Sequence, residues 1–330
     1  MAPHDDDTVR LRAGPVATTS PRRSSRRLFV GCAICAGAAA AGGFGWALFK
    51  PSAAPKLARV PTPSTAAVSL IAVTTASEAS IVANHATTLD VFRFDRNPRI
   101  LVLDFASLAR QGAMLNRVAA MIEKNGQPHD RALDDAALDI AIRANGDTPE
   151  TFYYGHDYGS VSLTRFFAAV SRQNIRLTDG EAWLRDLLQQ QTALVSGGTI
   201  GLISVPALGE GGVTLDMRAT ILHHELSHGE FFTNAAYAAW TREFWTNVLD
   251  EPSRAAFRSF LVSQDYDPSI EELVANETQA YLMFTPSPHF FRPDLVGMTE
   301  QAVGYWRQRF RDGMPPGWLR DQALHEAKPL

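Results

Sequence analysis

The chain has 330 residues, 45% of them hydrophobic and 20% charged with both signs mixed, which reads as globular and is enough for one sizeable core or two smaller ones. Residues 1–58 carry eight Lys/Arg against three Asp, so the formal net charge of -4 leaves 23 basic and 32 acidic residues from 59 onward, and that acidic body argues against a nucleic-acid partner. Its only cysteines, Cys32 and Cys35, precede the body, which therefore has no disulfide framework and no cysteine nucleophile.

Residues 1–27 are polar and Arg-rich, a basic region expected on the cytoplasmic side. Residues 28–49 hold no charge, and with Lys50 they form a signal or anchor segment (28–50) long enough to cross a bilayer. The six arginines before it place the body outside the cytoplasm. Cys32 and Cys35 lack the strand-then-helix setting of a redox CxxC. Ser25-Arg26-Arg27-Leu28-Phe29-Val30 resembles the twin-arginine export signal, Ser/Thr-Arg-Arg-x-Phe-Leu. The resemblance implies export of a folded chain to the periplasm, either released or still anchored to the inner membrane through 28–50. A plain signal anchor fits the same residues. Residues 51–67 are rich in Pro, Ala, Ser and Thr and read as a tether.

The body divides into 68–198, mixed α and β, and 199–330, mainly helical. Residues 100–105 read as a buried strand. Helical spacing covers 107–124, closed by Asn125-Gly126, and 133–144, closed by Asn145-Gly146. The Tyr/Gly stretch 152–159 reads as loop. Helices follow at 162–173 and 180–193, a strand at 199–205, a turn at 209–212, and helices near 216–230, 234–249, 253–262, 268–284 and 299–311. The fold class expected is α+β, mostly helical, with a small sheet preceding the helix at 216.

That helix carries His224-Glu225-Leu226-Ser227-His228. Positions i and i+4 lie one above the other on a helix, so the two histidines point the same way and can share one zinc ion. Glu225, offset by one residue, sits beside the metal, placed to take a proton from a water the metal polarises. Asp216 is a natural N-cap for the helix. His223 lies about 100° around it and reads as packing rather than as a ligand.

Catalytic zinc needs a third protein ligand. Phe231 and Asn234 stand where a metzincin has Gly and His, so an acidic residue is the remaining solution: Glu230, Glu243, Glu251, Glu271, Glu272, Glu277 or Glu300. Asp267 and Pro268 mark the expected start of the helix to Phe284, whose apolar stripe is Ile270, Leu273, Val274, Tyr281 and Phe284. Glu277 falls inside that stripe. A carboxylate on a buried face costs several kcal/mol unless it is paired or binds a metal, which selects Glu277 as the third ligand.

These residues resemble the gluzincin group of zincin metallopeptidases, which have HExxH on one helix and Asn-Glu-x-x-Ser/Ala-Asp on a later one. Asn276-Glu277-Thr278-Gln279-Ala280-Tyr281 matches at Asn, Glu and the small residue. The resemblance covers about 199–284 and implies two helices packed around the metal, with the strand at 199–205 lining the substrate cleft. Tyr281 stands where the family has Asp, so the carboxylate that orients a ligand histidine must come from elsewhere. Glu230 replaces a usual apolar residue. For the oxyanion of acyl transfer, Tyr281 is the first candidate donor, with His156, Tyr158, Tyr237 and His289 behind it.

The expected function is a zinc-dependent hydrolase acting on a peptide or protein substrate, with His224, His228 and Glu277 on zinc and Glu225 as base. Two alternatives fit the same residues: a hydrolase of a non-peptide amide in the envelope, and a catalytically silent zincin-like module that binds a partner.

Overall fold

The computed structural model describes residues 70–144, 146–195 and 198–326. The basic region, the anchor segment and the tether lie outside the described residues. In chain order the elements are β1 (Thr74–Ala76), α1 (Glu78–Val82), β2 (Leu89–Phe94), β3 (Ile100–Phe105), α2 (Leu108–Ile122), α3 (Asp135–Ala144), β4 (His156–Gly159), α4 (Ser160–Arg172), α5 (Asp179–Leu194) and β5 (Gly201–Val205). An all-helical run follows: α6 (Leu215–Thr233), α7 (Ala235–Glu243), α8 (Glu251–Ser263), α9 (Glu271–Phe284), α10 (Glu300–Gly313) and α11 (Trp318–Glu326). The fold is α+β, as the sequence predicts.

The five strands form one mixed sheet in the order β1-β2-β3-β5-β4. β3 and β5 are parallel, with Ile100 opposite Gly201, and β4 runs antiparallel to β5, with His156 opposite Ser204. One expectation is corrected here. The strand at 199–205 is internal, and the edge on that side is β4, in the stretch read as loop. Because β5 pairs with β3, the strand assigned to the second half of the body completes the sheet of the first.

Both faces of the sheet are covered, which is why every residue of β3 and β5 is buried. Alternation sorts them. Leu103, Phe105 and Leu202 join a core made with α2, α3, α4 and α5. Ile100, Val102, Ile203 and Val205 face Ile81 of α1 and Leu222 and Leu226 of α6. Helix α6 lies directly on the sheet. A Cβ on Gly229 would come within 2.9 Å of the Ile100 side chain, so only glycine permits that approach. A third core behind α6 joins α7 to α11.

Helix starts differ in two places. The cap of α6 is Thr214, whose hydroxyl accepts from Met217 N at 3.2 Å, while Asp216 sits in the first turn. Helix α9 begins at Glu271, because the Asp267 carboxylate folds over Ser269 instead of capping a helix. No helix among the described residues is long and apolar enough to cross a membrane.

Candidate metal centre

Helix α6 is wedged between the sheet and α9, so its polar residues 223–228 are buried with its apolar ones. The one-turn spacing brings His228 Nε2 to 3.0 Å from His224 Nε2. Glu277, from the middle of α9, is fully buried and places Oε2 at 3.6 Å from His224 Nε2 and 3.7 Å from His228 Nε2. Ligands on a tetrahedral ion at about 2.0–2.1 Å lie about 3.3 Å apart, so the three separations fit one zinc-sized cation.

The tautomer of His224 follows from its neighbours. Thr285 donates its hydroxyl proton to Ala280 O at 2.9 Å, so Thr285 Oγ1 accepts from His224 Nδ1–H, also at 2.9 Å. The proton on Nδ1 leaves the Nε2 lone pair directed at His228 and Glu277. The group orienting this histidine is thus a threonine hydroxyl, not the carboxylate expected from the sequence. Ser227 and Gln279 tie α6 to α9 just behind it: Gln279 Nε2 donates to Ser227 Oγ at 3.1 Å, and Ser227 Oγ donates to His224 O at 2.7 Å.

Glu225 leans toward β4. A carboxylate oxygen of Glu225, a ring nitrogen of His228 and an Asp157 oxygen lie within 4.8 Å of one another. The room comes from Gly155, where a Cβ would collide with Glu225 Oε1. Strand alternation explains Asp157: His156 and Tyr158 face the α2 side, where His156 Nδ1 meets Ser204 Oγ at 2.8 Å, and Asp157 and Gly159 face α6. Asp157 Oδ2 lies 3.9 Å from His228 Nε2. Glu123, the residue after α2, completes the surround, with oxygens of Glu123, Asp157 and Glu277 also within 4.8 Å of one another. Sequence reasoning missed Glu123, Asp157 and Thr285.

The other glutamates considered as ligands have different employment. Glu230 accepts from Asn97, Asn234 and Trp318, clamping α11 to α6. Glu243 bonds Asn247, Glu251 bonds Arg254, Glu271 bonds Arg258 and Trp245, and Glu272 bonds Arg242. Glu300 is exposed at the start of α10. Tyr281 is buried with its ring edge-on to His224, centroids 4.9 Å apart, and packs on Phe260 and Phe291, an arrangement that braces the histidine. Tyr237 donates to Gln279 Oε1 at 2.5 Å, and burial, then the charge of Glu230, pushes its phenol well above the ordinary value. His156 and Tyr158 face away from Asp157, and His289 is exposed. His223 is turned elsewhere: its Nδ1 lies 3.0 Å from Glu78 Oε1 and its ring packs on Phe284.

No protein-family model, curated protein or solved structure matches the chain. The functional reading therefore stands on this geometry and on the motif spacing.

Proposed function

We propose that the chain is a zinc-dependent hydrolase, most simply a peptidase, with His224, His228 and Glu277 as zinc ligands and Glu225 as general base. One observation carries the reading: two imidazole nitrogens and a carboxylate oxygen from two helices converge at 3.0, 3.6 and 3.7 Å, with a second carboxylate beside them. When bound, zinc polarises a water and lowers its pKa to about 7. Thr285 holds His224 in the tautomer that presents Nε2. Gly155 leaves Glu225 the space to accept a proton from the attacking water and return it to the leaving nitrogen. Water adds its oxygen to the amide carbon, the C–N bond breaks, and the amine departs with the proton that Glu225 carried.

The helix pair α6–α9, with a sheet ahead of it, supports the gluzincin resemblance. An exported, periplasmic site of action is proposed from residues 1–58 alone. Elemental analysis of the full-length chain tests the metal: about one zinc is expected per chain, absent from the His224→Ala/His228→Ala double variant. A screen of unfolded protein substrates then tests the chemistry. Glu225→Gln is expected to keep zinc and lose about 10²–10⁴-fold in rate. Full activity in that variant would overturn the mechanism, and zinc without hydrolysis of any amide would favour the silent binding module.

A further inference from the structure

The site is closed. His224, His228, Glu277, Glu225, Asp157 and Glu123 are each 7% exposed or less. Three of the walls are regular elements, α6, α9 and β4, each held by its own backbone ladder. The wall carrying Glu123 is different. Residues 123–125, just past α2, pair with residues 265–267 between α8 and α9 through a single antiparallel bridge, Lys124 opposite Tyr266. Two backbone bonds make it: Asn125 N to Asp265 O at 3.0 Å and Asp267 N to Glu123 O at 3.1 Å.

Lys124 is the fastening. It is almost fully buried, with Nζ 2.6 Å from Asp265 Oδ2 and 3.7 Å from Asp147 Oδ2. The same ammonium lies 3.9 Å from the centre of the Phe152 ring and 4.9 Å from that of Tyr153. One side chain thus ties the end of α2, the 264–267 loop and the segment that leads through Gly155 into β4. Asp265 is held at a φ of 73°, a left-handed conformation uncommon outside glycine. A wall built from two backbone bonds, one charged cluster and the His129 Nε2–Asp267 Oδ2 contact at 3.0 Å opens more readily than a helix or a sheet strand.

We propose that the pairing of 123–125 with 265–267 is a clasp that shuts the metal site, and that substrate is admitted when it parts and draws Glu123 out. This rests on the zinc-hydrolase reading for its purpose, while its own test concerns access alone.

In an antiparallel pair of this kind the facing Cα atoms are about 4.5 Å apart, within the range a disulfide spans. The test is the full chain with Cys32 and Cys35 replaced by Ser, carrying Lys124→Cys/Tyr266→Cys. Zinc-loaded protein is mixed with 4-(2-pyridylazo)resorcinol and the extraction rate is followed. Reduced, the variant lacks the Lys124 fastening and is expected to lose zinc at least about tenfold faster than the parent. Oxidised, with the clasp covalently shut, it should lose zinc at least about tenfold more slowly than when reduced. Equal rates in the two redox states would overturn the clasp. If the parent holds no zinc, the metal reading fails by itself and the clasp is read from diethyl pyrocarbonate modification of His224 and His228. The same ordering then supports it, and equal rates overturn it. Should the double variant not fold, Asp265→Asn, which keeps shape and removes the closer of the two Lys124 ion pairs, must speed extraction or modification relative to the parent; an unchanged rate rejects the clasp.

Discussion

Helix α6 carries two buried polar clusters that differ in kind. At its start, Arg218 is 1% exposed and spends its guanidinium on Val82 O, Ile81 O, Pro206 O and Asp104 Oδ2, the last at 2.7 Å. Asn84 adds a second bond to Asp104. Donors and acceptors balance there, and the cluster rivets α1, β3 and α6 together. Two turns on, His224 and His228 meet carboxylates from β4, α6 itself and α9, with Glu123 beyond them beside Asp157 and Glu277. That set is dominated by acceptors, the composition that suits a cation. Burial alone therefore does not mark a functional site. The balance of donors and acceptors inside the buried cluster is what makes the second one the candidate.

The largest effect should come from the structural cluster. Burial raises the Asp104 carboxyl despite the hydrogen bonds from Arg218 and Asn84 that pull it down. Arg218→Met leaves that carboxylate among backbone carbonyls, and a loss of about 3–5 kcal/mol is expected in urea denaturation. Zinc per folded chain in the cold should not change. If zinc disappears while the fold persists, the two clusters are not separable.

Gly155→Ala addresses the metal cluster from outside the motif. Its Cβ would displace the Glu225 carboxylate, and misplacing a catalytic group by about 1 Å can cost about 10²-fold in rate. Zinc content should survive, since Gly155 touches the proposed base and not the proposed ligands. Loss of zinc together with rate would show that Glu225 holds the ion as well. Thr285→Val is nearly isosteric and removes the acceptor for His224 Nδ1–H together with the hydroxyl's bond to Ala280 O. Zinc affinity should fall about 10–100-fold in chelator competition, with stability little changed. Unaltered affinity would mean that packing against Tyr281 suffices to orient the ring.

How far all this was legible in the sequence follows the range of each interaction. The i,i+4 pair on α6 needed only helical periodicity, and Glu277 only its place in an apolar stripe. Helices α2 to α10 were readable for the same reason. Strand β4 was not: four residues ending in Gly make no strand by propensity, and they are extended because β5 lies beside them. With β4 went Asp157, although the order His156, Asp157, Tyr158 already alternates between faces. Glu123 and Thr285 sit just past the ends of helices, positions whose surroundings only tertiary packing decides. β1, β2, α1 and α11 were also missed, the short ones because they carry little periodicity.

The smallest effect calibrates what one exposed polar contact is worth beside these buried clusters. Asp250 caps α8, with Oδ1 accepting from Ser253 N at 2.9 Å. The Ser253 side chain first, and its backbone amide second, hold the Asp250 carboxyl below its ordinary value of 3.8. A lowered acid contributes stability that is complete above the unfolded-state value and is lost as pH falls through the folded one. Asp250→Ala should therefore cost about 1 kcal/mol at pH 6, with the gap to the parent closing once pH drops below about 4. Urea midpoints at pH 6 and pH 3 measure it. A gap that stays constant would assign the cap's value to the neutral hydrogen bond, whereas a closing gap assigns it to the charge at the helix N-terminus. Either way the contact remains well below Arg218, because water replaces a lost partner at the surface and cannot do so beside Asp104.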